Sequence, residues 1–167
     1  MTILNILNYP DKRLYKKAKP VELVKDQHLK LIENMAETMY EYNGIGLAAT
    51  QVDFHERIIL IDISQEKNNL IVLINPKIVE KNGSQEHQEG CLSLPKIFEK
   101  IERYESVKVK ALDQKGKKIE LKAKGLLSVC IQHEIDHLDG KLFIDYLSLL
   151  KKNRIKSKLL KAQKRKQ

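Results

Sequence analysis

Apolar positions in the first half of the chain follow two different patterns. Residues 57–63 and 70–75 are runs dominated by Ile, Leu and Val, so they predict two short buried strands with a polar loop between them. In residues 26–42 apolar side chains recur near every 3.6 positions, which predicts an amphipathic helix. Asn43 and Gly44 are suitable residues for ending it. We therefore expect a helix followed by two strands.

The second half of the chain also contains patterns typical of strands and of helices. Apolar and polar positions alternate in residues 105–112 and again in residues 117–122, and turn-forming residues lie between the two segments, so we expect a β-hairpin. Residues 125–138 place apolar side chains on almost every side of a helix, which is typical of a buried helix. From about residue 147 the pattern predicts a further helix with a narrow apolar stripe, formed by Ile155, Leu159 and Ala162.

Strands mixed with segregated helices favour an α+β fold. The predicted architecture has antiparallel sheets packed around the buried helix of residues 125–138, with a basic helix at the carboxyl end. The sequence contains neither an internal repeat nor a linker composition. We therefore expect one domain in residues 1–150 and a basic helical tail in residues 151–167.

The overall composition is that of a globular protein. The chain has 167 residues, and 42% of them are hydrophobic, which excludes global disorder. Its two cysteines do not suggest a disulfide framework. The amino terminus lacks a basic segment followed by a long apolar run, and no stretch approaches about 18 consecutive apolar residues, so neither a signal peptide nor a transmembrane helix is expected. We expect a cytoplasmic protein.

The net charge of +9 is concentrated at the carboxyl end. Residues 151–167 contain nine basic residues and no acidic one, which leaves 22 basic and 22 acidic residues in the rest of the chain. The simplest interpretation is a solvated helix end, whose lysines suit the negative pole of the helix dipole. However, the tail has no acidic residues with which its lysines can pair, so an anionic partner would relieve their repulsion. A membrane surface is a poorer partner, because the apolar stripe is narrow and lacks aromatic anchors.

The segment from His133 to His137 carries the most specific chemistry in the chain. Its two histidines are four positions apart, so on a helix they lie one turn apart on the same face and can bind the same metal ion. Glu134 stands beside them, and this arrangement is typical of a metal-activated water and a hydrolysis. The alternative is an ordinary buried hydrogen-bond network. We favour a metal site because buried carboxylates are paired or bind metal.

A third metal ligand is needed, and both cysteines are candidates. Cys130 lies about 10.5 Å of helical rise from His137, a long way for its short side chain to share one ion, so it is better interpreted as a small core residue. Cys91 lies in the segment from Glu89 to Pro95, which we expect to be an irregular loop, and loops often carry ligands. The remaining histidines lack such a context, and we expect them at the surface; they are His28, His55 and His87.

A glycine-rich segment in residues 44–49 allows an alternative interpretation. It matches the relaxed dinucleotide-binding pattern G-x-G-x-x-A, but that pattern requires a preceding strand and a following helix. Here a predicted helix comes first, so the nucleotide interpretation is weak. A better explanation of the glycines is that they let the backbone approach a ligand closely.

Three segments taken together resemble peptide deformylases of the shorter bacterial class. The resemblance extends from about residue 3 to residue 147, which makes residues 1–150 a catalytic domain. Leu94 departs from the family, which more often has Val or Ile at that position. The segments are Gly44-Ile45-Gly46-Leu47-Ala48-Ala49-Thr50-Gln51, Glu89-Gly90-Cys91-Leu92-Ser93-Leu94-Pro95 and Gln132-His133-Glu134-Ile135-Asp136-His137-Leu138-Asp139-Gly140.

The resemblance implies a metal-dependent hydrolase that removes the formyl group from the formyl-methionine of new polypeptides and releases formate. Metal-bound hydroxide would attack the formyl carbon, with Glu134 as general acid and base. The amide of Gln51 and the backbone N–H of Leu92 would stabilise the oxyanion. Fe²⁺ would be the native ion, and Zn²⁺ or Ni²⁺ could replace it. The implied metal ligands are Cys91, His133 and His137.

The resemblance also implies a substrate pocket and a partner. The pocket for the substrate methionine would be lined by Ile45, Gly46, Leu126 and Val129, although plain core packing would equally account for the last two residues. Members of the family act on nascent chains, so RNA near the ribosomal exit tunnel is the expected partner of residues 151–167. We expect a monomer that does not bind a membrane.

Two rival functions remain at this level. One is a zinc endopeptidase, because H-E-x-x-H is also a peptidase motif. A third metal ligand at Cys91, upstream of the H-E-x-x-H motif, would distinguish a deformylase from a peptidase, whose third metal ligand lies downstream of this motif. The other rival is an RNA-binding protein without enzymatic activity, which the basic tail suggests. The balanced charge of the remaining chain argues against it.

Overall fold

A computed structural model describes residues 2–165; Met1, Lys166 and Gln167 lie outside the described residues. The chain forms three α-helices and seven strands within this range. The helices are α1 (Asp26–Glu41), α2 (Gly125–Leu138) and α3 (Leu149–Arg165). The strands are β1 (Gly46–Ala48), β2 (Ile58–Ile61), β3 (Ile71–Asn82), β4 (Gln85–Cys91), β5 (Leu94–Arg103), β6 (Ser106–Leu112) and β7 (Lys118–Lys124).

The strands form two antiparallel sheets. Five of them pair in the order β1-β2-β3-β6-β7, and β4 pairs with β5 in a separate two-stranded sheet. The apolar runs pair with each other, as in the registers Ile58↔Ile74 and Leu60↔Val72. The hairpin of β6 and β7 places Val109 opposite Leu121. The predicted α+β class with antiparallel sheets is confirmed, as are all three predicted helices and the hairpin.

The prediction of an irregular loop around Cys91 was wrong. The segment from Glu89 to Pro95 is not an irregular loop, because β4 runs to Cys91 and β5 begins at Leu94, which pairs with Cys91 across a tight turn. The strand was missed because β4 is polar along most of its length, and Glu89 is its only buried member. Hydrophobic periodicity cannot detect a strand that places so few apolar side chains in the core.

Helix α2 is enclosed by the two sheets, which is why its sequence is apolar on almost every side. One side packs on the five-stranded sheet, where Ile131 and Leu138 are fully buried with Ile59 and Val109. The other side faces β4 through polar residues. A helix in this position can therefore present side chains to both sheets, and it holds the polar ones in a fixed place.

Helix α3 is docked on the rest of the molecule by two of the three predicted stripe residues. Ile155 and Leu159 are buried in a cluster that includes Phe143, whereas Ala162 is exposed. Lys151 also forms an ion pair with Glu99, with 2.9 Å between Nζ and Oε2. The apolar stripe thus serves to attach the helix. No helix in residues 2–165 combines the length and apolar character that crossing a membrane requires.

The prediction that His28 lies at the surface was also wrong. His28 is buried near the start of α1, where its Nδ1 accepts a hydrogen bond from the backbone N–H of Lys25 at 2.9 Å. Its Nε2 lies 2.9 Å from Oε2 of Glu56. The imidazole therefore caps the first turn of the helix, a role that the composition of the segment did not indicate.

Candidate metal and catalytic centre

The structure brings together the three predicted metal ligands, Cys91, His133 and His137. Their donor atoms all lie within 4.8 Å of one another. The Nε2 atoms of the two histidines are 3.2 Å apart, and Sγ of Cys91 lies 3.3 Å from Nε2 of His137. Tetrahedral ligands at metal–N distances of about 2.0–2.1 Å and metal–S distances of about 2.3 Å are separated by roughly 3.3–3.7 Å. The donor set therefore fits one divalent ion.

The convergence follows from two local structures. His133 and His137 are one turn apart on α2, so both rings leave the same face of the helix. Cys91 is the last residue of β4, directly before the tight turn into β5. The carbonyl oxygen of Ser93 in this turn accepts a hydrogen bond from the N–H of Tyr9 at 2.9 Å, which ties the hairpin end to the amino-terminal segment.

A buried carboxylate orients the first histidine. Nδ1 of His133 lies 2.8 Å from Oε1 of Glu89. Arg103 holds the same carboxylate with two hydrogen bonds, from Nε at 2.8 Å and from Nη2 at 2.9 Å. Its third nitrogen, Nη1, donates to Asp136 at 2.6 Å. With Nδ1 donating to Glu89, the Nε2 lone pair of His133 is free to bind a metal.

The electrostatics of the centre favour a cation. Burial lowers the pKa of His133, but the charge of Glu134 and the hydrogen bonds with Cys91 and Glu89 outweigh burial, so this pKa is raised. The pKa of His137 is lowered by its burial and by the neighbouring His133, which favours a neutral imidazole. Neutral imidazole is the metal-binding form. The acidic neighbours that raise the pKa of His133, Glu134 and Glu89, favour a positive charge at this place, which a metal ion would supply instead of the proton on His133.

Glu134 lies beside this cluster in an unusual environment. It is only 5% exposed, and its Oε1 atom has no hydrogen-bond partner within residues 2–165. Burial raises the pKa of Glu134 to about 7. A methyl group added at Gly46 would lie only 2.5 Å from Oε2 of Glu134, so the glycine leaves the space that the carboxylate occupies. A carboxyl group with this pKa can both accept and donate a proton near neutral pH.

Gln51 is held in a single orientation close to the cysteine. Its Oε1 accepts a hydrogen bond from the N–H of Ala48 at 2.9 Å, and its Nε2 donates to Oγ of Ser93 at 3.0 Å and to Sγ of Cys91 at 3.4 Å. Leu92 follows Cys91 in the hairpin turn. The amide of Gln51 thus lies beside the thiol, and Leu92 is the next residue along the chain.

The centre opens into a cleft of about 750 Å³. The four residues that the sequence assigned to a substrate pocket all line it, namely Ile45, Gly46, Leu126 and Val129. Cys130 also borders the cleft, but it packs in the core cluster under the five-stranded sheet and is not among the clustered donor atoms. The sequence interpretation of Cys130 as a core residue agrees with this position.

Several residues of the site were missed by sequence reasoning. Glu89 directly precedes the Gly90-Cys91 pair, so its place in the motif was a usable signal. Arg103 had no local signal, because its partners are distant in sequence. His87 was expected at the surface, yet it is half-buried and lines the cleft together with the exposed Phe98.

The chain is similar to known proteins over nearly its whole length. A sequence model of the family described as polypeptide deformylase matches residues 3–153. Peptide deformylase 1 of Burkholderia multivorans is 56% identical over 165 residues, which cover 98% of this chain and 91% of that protein. The peptide deformylase of Chromobacterium violaceum is 56% identical over 164 residues, which cover 98% of both chains.

Solved structures agree with this similarity. The crystal structure of a peptide deformylase from Legionella pneumophila superimposes with a TM-score of 0.94 at 47% identity, covering 99% of this chain and 98% of that one. The crystal structure of peptide deformylase from Ehrlichia chaffeensis in complex with actinonin has a TM-score of 0.94 at 40% identity, covering 97% of this chain and 98% of that one. Sequence and fold therefore point to the same family.

Proposed function

This chain belongs to the polypeptide deformylase family, and we propose that it removes the N-formyl group from the amino-terminal formyl-methionine of newly made polypeptides, with release of formate. The observation that carries the proposal is the convergence of Cys91, His133 and His137 beside Glu134, at the edge of a cleft. This constellation supplies a metal site, a proton carrier and room for a peptide end.

We propose that Cys91, His133 and His137 hold Fe²⁺, and that Zn²⁺ or Ni²⁺ can replace it. One thiolate and two imidazoles form a donor set that suits several divalent transition metals. When bound, the ion would supply an acidified water and positive charge beside the formyl oxygen. The hydrogen bond between Glu89 and His133 would keep the ring in place for this role.

Glu134 is the proposed general acid and base. Its carboxylate takes a proton from the attacking water, whose oxygen forms a bond to the formyl carbon. The bond between this carbon and the nitrogen of methionine then breaks, and Glu134 gives the proton to the departing nitrogen. Formate and a free amino terminus leave. The raised pKa of Glu134, about 7, suits both steps at neutral pH.

Gln51 and Leu92 are the proposed donors to the oxyanion. Negative charge develops on the formyl oxygen as the water adds, and a donor fixed in advance stabilises that charge without having to reorganise. The amide of Gln51 meets this condition, because its oxygen is held by Ala48 and its Nε2 lies near Sγ of Cys91. The backbone N–H of Leu92, the residue after Cys91, would be the second donor.

The methionine side chain would enter the cleft between Ile45 and Gly46 of the glycine segment and Leu126 and Val129 of α2. An unbranched thioether adapts well to an apolar pocket of this kind. The rest of the peptide would lie extended along the backbone of the glycine segment, where main-chain hydrogen bonds give little sequence selectivity.

One assay tests the proposed reaction. The full-length protein is purified without oxygen in the presence of Fe²⁺ and is offered formyl-Met-Ala-Ser and the same peptide without the formyl group. We expect formate from the first peptide only, with one new amino terminus for each formate. Cleavage inside either peptide would instead establish an endopeptidase, and the proposal would be wrong.

We further propose that the enzyme acts as a monomer in the cytoplasm, on chains that emerge from the ribosome. The basic residues of the tail support contact with ribosomal RNA, because α3 is attached by Ile155 and Leu159 and leaves Lys156, Lys158 and Lys161 exposed. Binding of this kind depends strongly on salt. Lys166, which belongs to the same charge cluster in the sequence, lies outside the described residues.

A further inference from the structure

Helix α1 packs on the outer face of the five-stranded sheet at β1, β2 and the start of β3. The rest of this face, formed by the end of β3 with β6 and β7, carries a second concentration of positive charge. In β6 the side chains of Val107, Val109 and Ala111 are buried, so Lys108 and Lys110 between them point outward. Their neighbours on β3 and β7 share this face in the observed register. The charged residues of this basic sheet face are Lys77, Glu80, Lys108, Lys110, Lys118, Glu120, Lys122 and Lys124.

Like charges are placed directly opposite each other on this face. Lys108 pairs with Lys122 across β6 and β7. Lys77 pairs with Lys110 across β3 and β6. Such pairs destabilise a sheet, because opposed side chains lie only about 4.5–5.5 Å apart at Cβ. Charges that cost stability in the free protein are explained if a partner of opposite charge neutralises them.

The two glutamates do not neutralise the face. Glu120 lies 3.7 Å from Nζ of Lys108 and 3.9 Å from Nζ of Lys110, and Glu80 lies 3.8 Å from Lys108. Glu120 is thus shared by Lys108 and Lys110, and Glu80 contacts Lys108 alone. Among the ion pairs of the described residues, none within 4.0 Å involves the lysines of β7, which are Lys118, Lys122 and Lys124.

We propose that the basic sheet face binds the phosphate backbone of double-helical RNA. The lysines form a rigid array, with strands about 4.8 Å apart and outward residues roughly 6.8 Å apart along each strand. Contacts of this type are made to phosphates without reading the bases. None of the charged residues of the face has an aromatic neighbour in register, so it offers no platform for stacking single-stranded bases and no anchor for a membrane.

The location of the face is compatible with catalysis. Helix α2 packs on the inner surface of the sheet through Ile131 and Ile135 and presents His133 to the cleft on its other side. An RNA duplex on the outer surface therefore leaves the cleft open to a peptide. The choice of RNA among polyanions rests on the proposed function, because RNA is the polyanion that surrounds an emerging formylated chain.

The test compares two full-length variants that lose the same charge. The first is Lys118→Gln/Lys122→Gln/Lys124→Gln on the basic sheet face. The matched control is Lys16→Gln/Lys17→Gln/Lys30→Gln, at three exposed positions elsewhere. The probe is an RNA hairpin with a stem of about 16 base pairs, and its affinity is measured by fluorescence anisotropy from about 50 to 200 mM salt. Vesicles containing phosphatidylglycerol serve as a second probe.

We expect the sheet variant to bind the hairpin about tenfold more weakly at low salt, and the slope of log K against log salt to fall by about 2–3. The control should change affinity by less than about twofold. Equal losses in the two variants, no loss in the sheet variant, or binding to vesicles without binding to RNA would each overturn the proposal. Both variants should release formate from formyl-Met-Ala-Ser at the wild-type rate. If the wild-type protein released no formate, the proposed function would be wrong, whereas the comparison of RNA affinities between the two variants would still test the basic sheet face.

Discussion

Oε1 of Glu89 lies 2.8 Å from Nδ1 of His133, and both side chains are buried. The contact joins β4, which carries Cys91, to α2, which carries the histidines. Arg103 extends it, because its guanidinium spans Glu89 on the strand and Asp136 on the helix. The position of the candidate metal site is therefore fixed by a charged network as well as by apolar packing.

The variant Glu89→Gln should bind metal more weakly, by roughly tenfold to a hundredfold, because the ring of His133 loses its charged acceptor. The measurement is a chelator competition titration on protein whose fold is verified by circular dichroism. Glu86→Gln, an exposed carboxylate on the same strand, is the matched control and should bind metal normally. A folded Glu89→Gln protein with wild-type affinity would contradict the positioning role.

The variant Glu134→Ala should keep the metal and lose turnover by about 100-fold to 10,000-fold, the range typical of general acid–base catalysis. The side chain is not one of the three clustered donors, so its removal leaves the ligand set intact. Metal content and kcat are measured on the same preparation. Loss of the metal together with activity would instead assign Glu134 to the ligand set.

The two cysteines should behave in opposite ways. Cys91→Ala should lose the metal, because it removes a donor atom 3.3 Å from Nε2 of His137. Cys130→Ser should keep the metal, because burial raises the pKa of Cys130 to about 12 and the neutral thiol packs in the core. Metal content after dialysis distinguishes the two. The ligand assignment is wrong if the serine variant is the one that loses the ion.

Neutralising the tail should weaken binding to ribosomes without harming the enzyme. Deleting the whole tail is a poor test, because Ile155 and Leu159 are part of a core cluster. The variant Lys156→Gln/Lys158→Gln/Lys161→Gln keeps both residues. We expect reduced cosedimentation with ribosomes at low salt and unchanged formate release from short peptides. Undiminished cosedimentation would exclude the tail as the contact.

Asp62 should make stability depend on acid pH. Burial raises its pKa, but hydrogen bonds from Ser64, Tyr40 and the backbone of Asn69 together outweigh burial, so the pKa is lowered overall. A lowered folded pKa means that the stabilisation is present above the unfolded value of about 3.9 and is lost as pH falls through the folded value. Asp62→Asn should therefore cost about 1.5–3 kcal/mol at neutral pH and less near pH 3.

Urea unfolding at several pH values measures this difference. Glu22→Gln, at an exposed carboxylate, is the control and should show little effect at any pH. A cost of Asp62→Asn that stays constant down to about pH 3 would mean that the ionised form contributes nothing specific.

The long elements were predictable because each carries its own periodic pattern. The buried helix of residues 125–138 and the amphipathic helix of residues 26–42 were assigned correctly, and so was the hairpin of β6 and β7. The strand β4 was not, because its side chains are mostly polar and its place in the structure depends on pairing with β5. The burial of His28 was missed because its surroundings include residues distant in the sequence, such as Glu56, whose Oε2 lies 2.9 Å from Nε2 of His28.

The sequence by itself determined the spacing of His133 and His137 on a helix, the place of Glu134 beside them and the family, because these depend on residue types at short, fixed intervals. The tertiary structure alone decided which atoms meet. It brought Cys91 to the histidines through a hairpin, oriented His133 through Glu89 and Arg103, and raised the pKa of Glu134 by burial. Distance, burial and register depend on contacts between residues far apart in the chain.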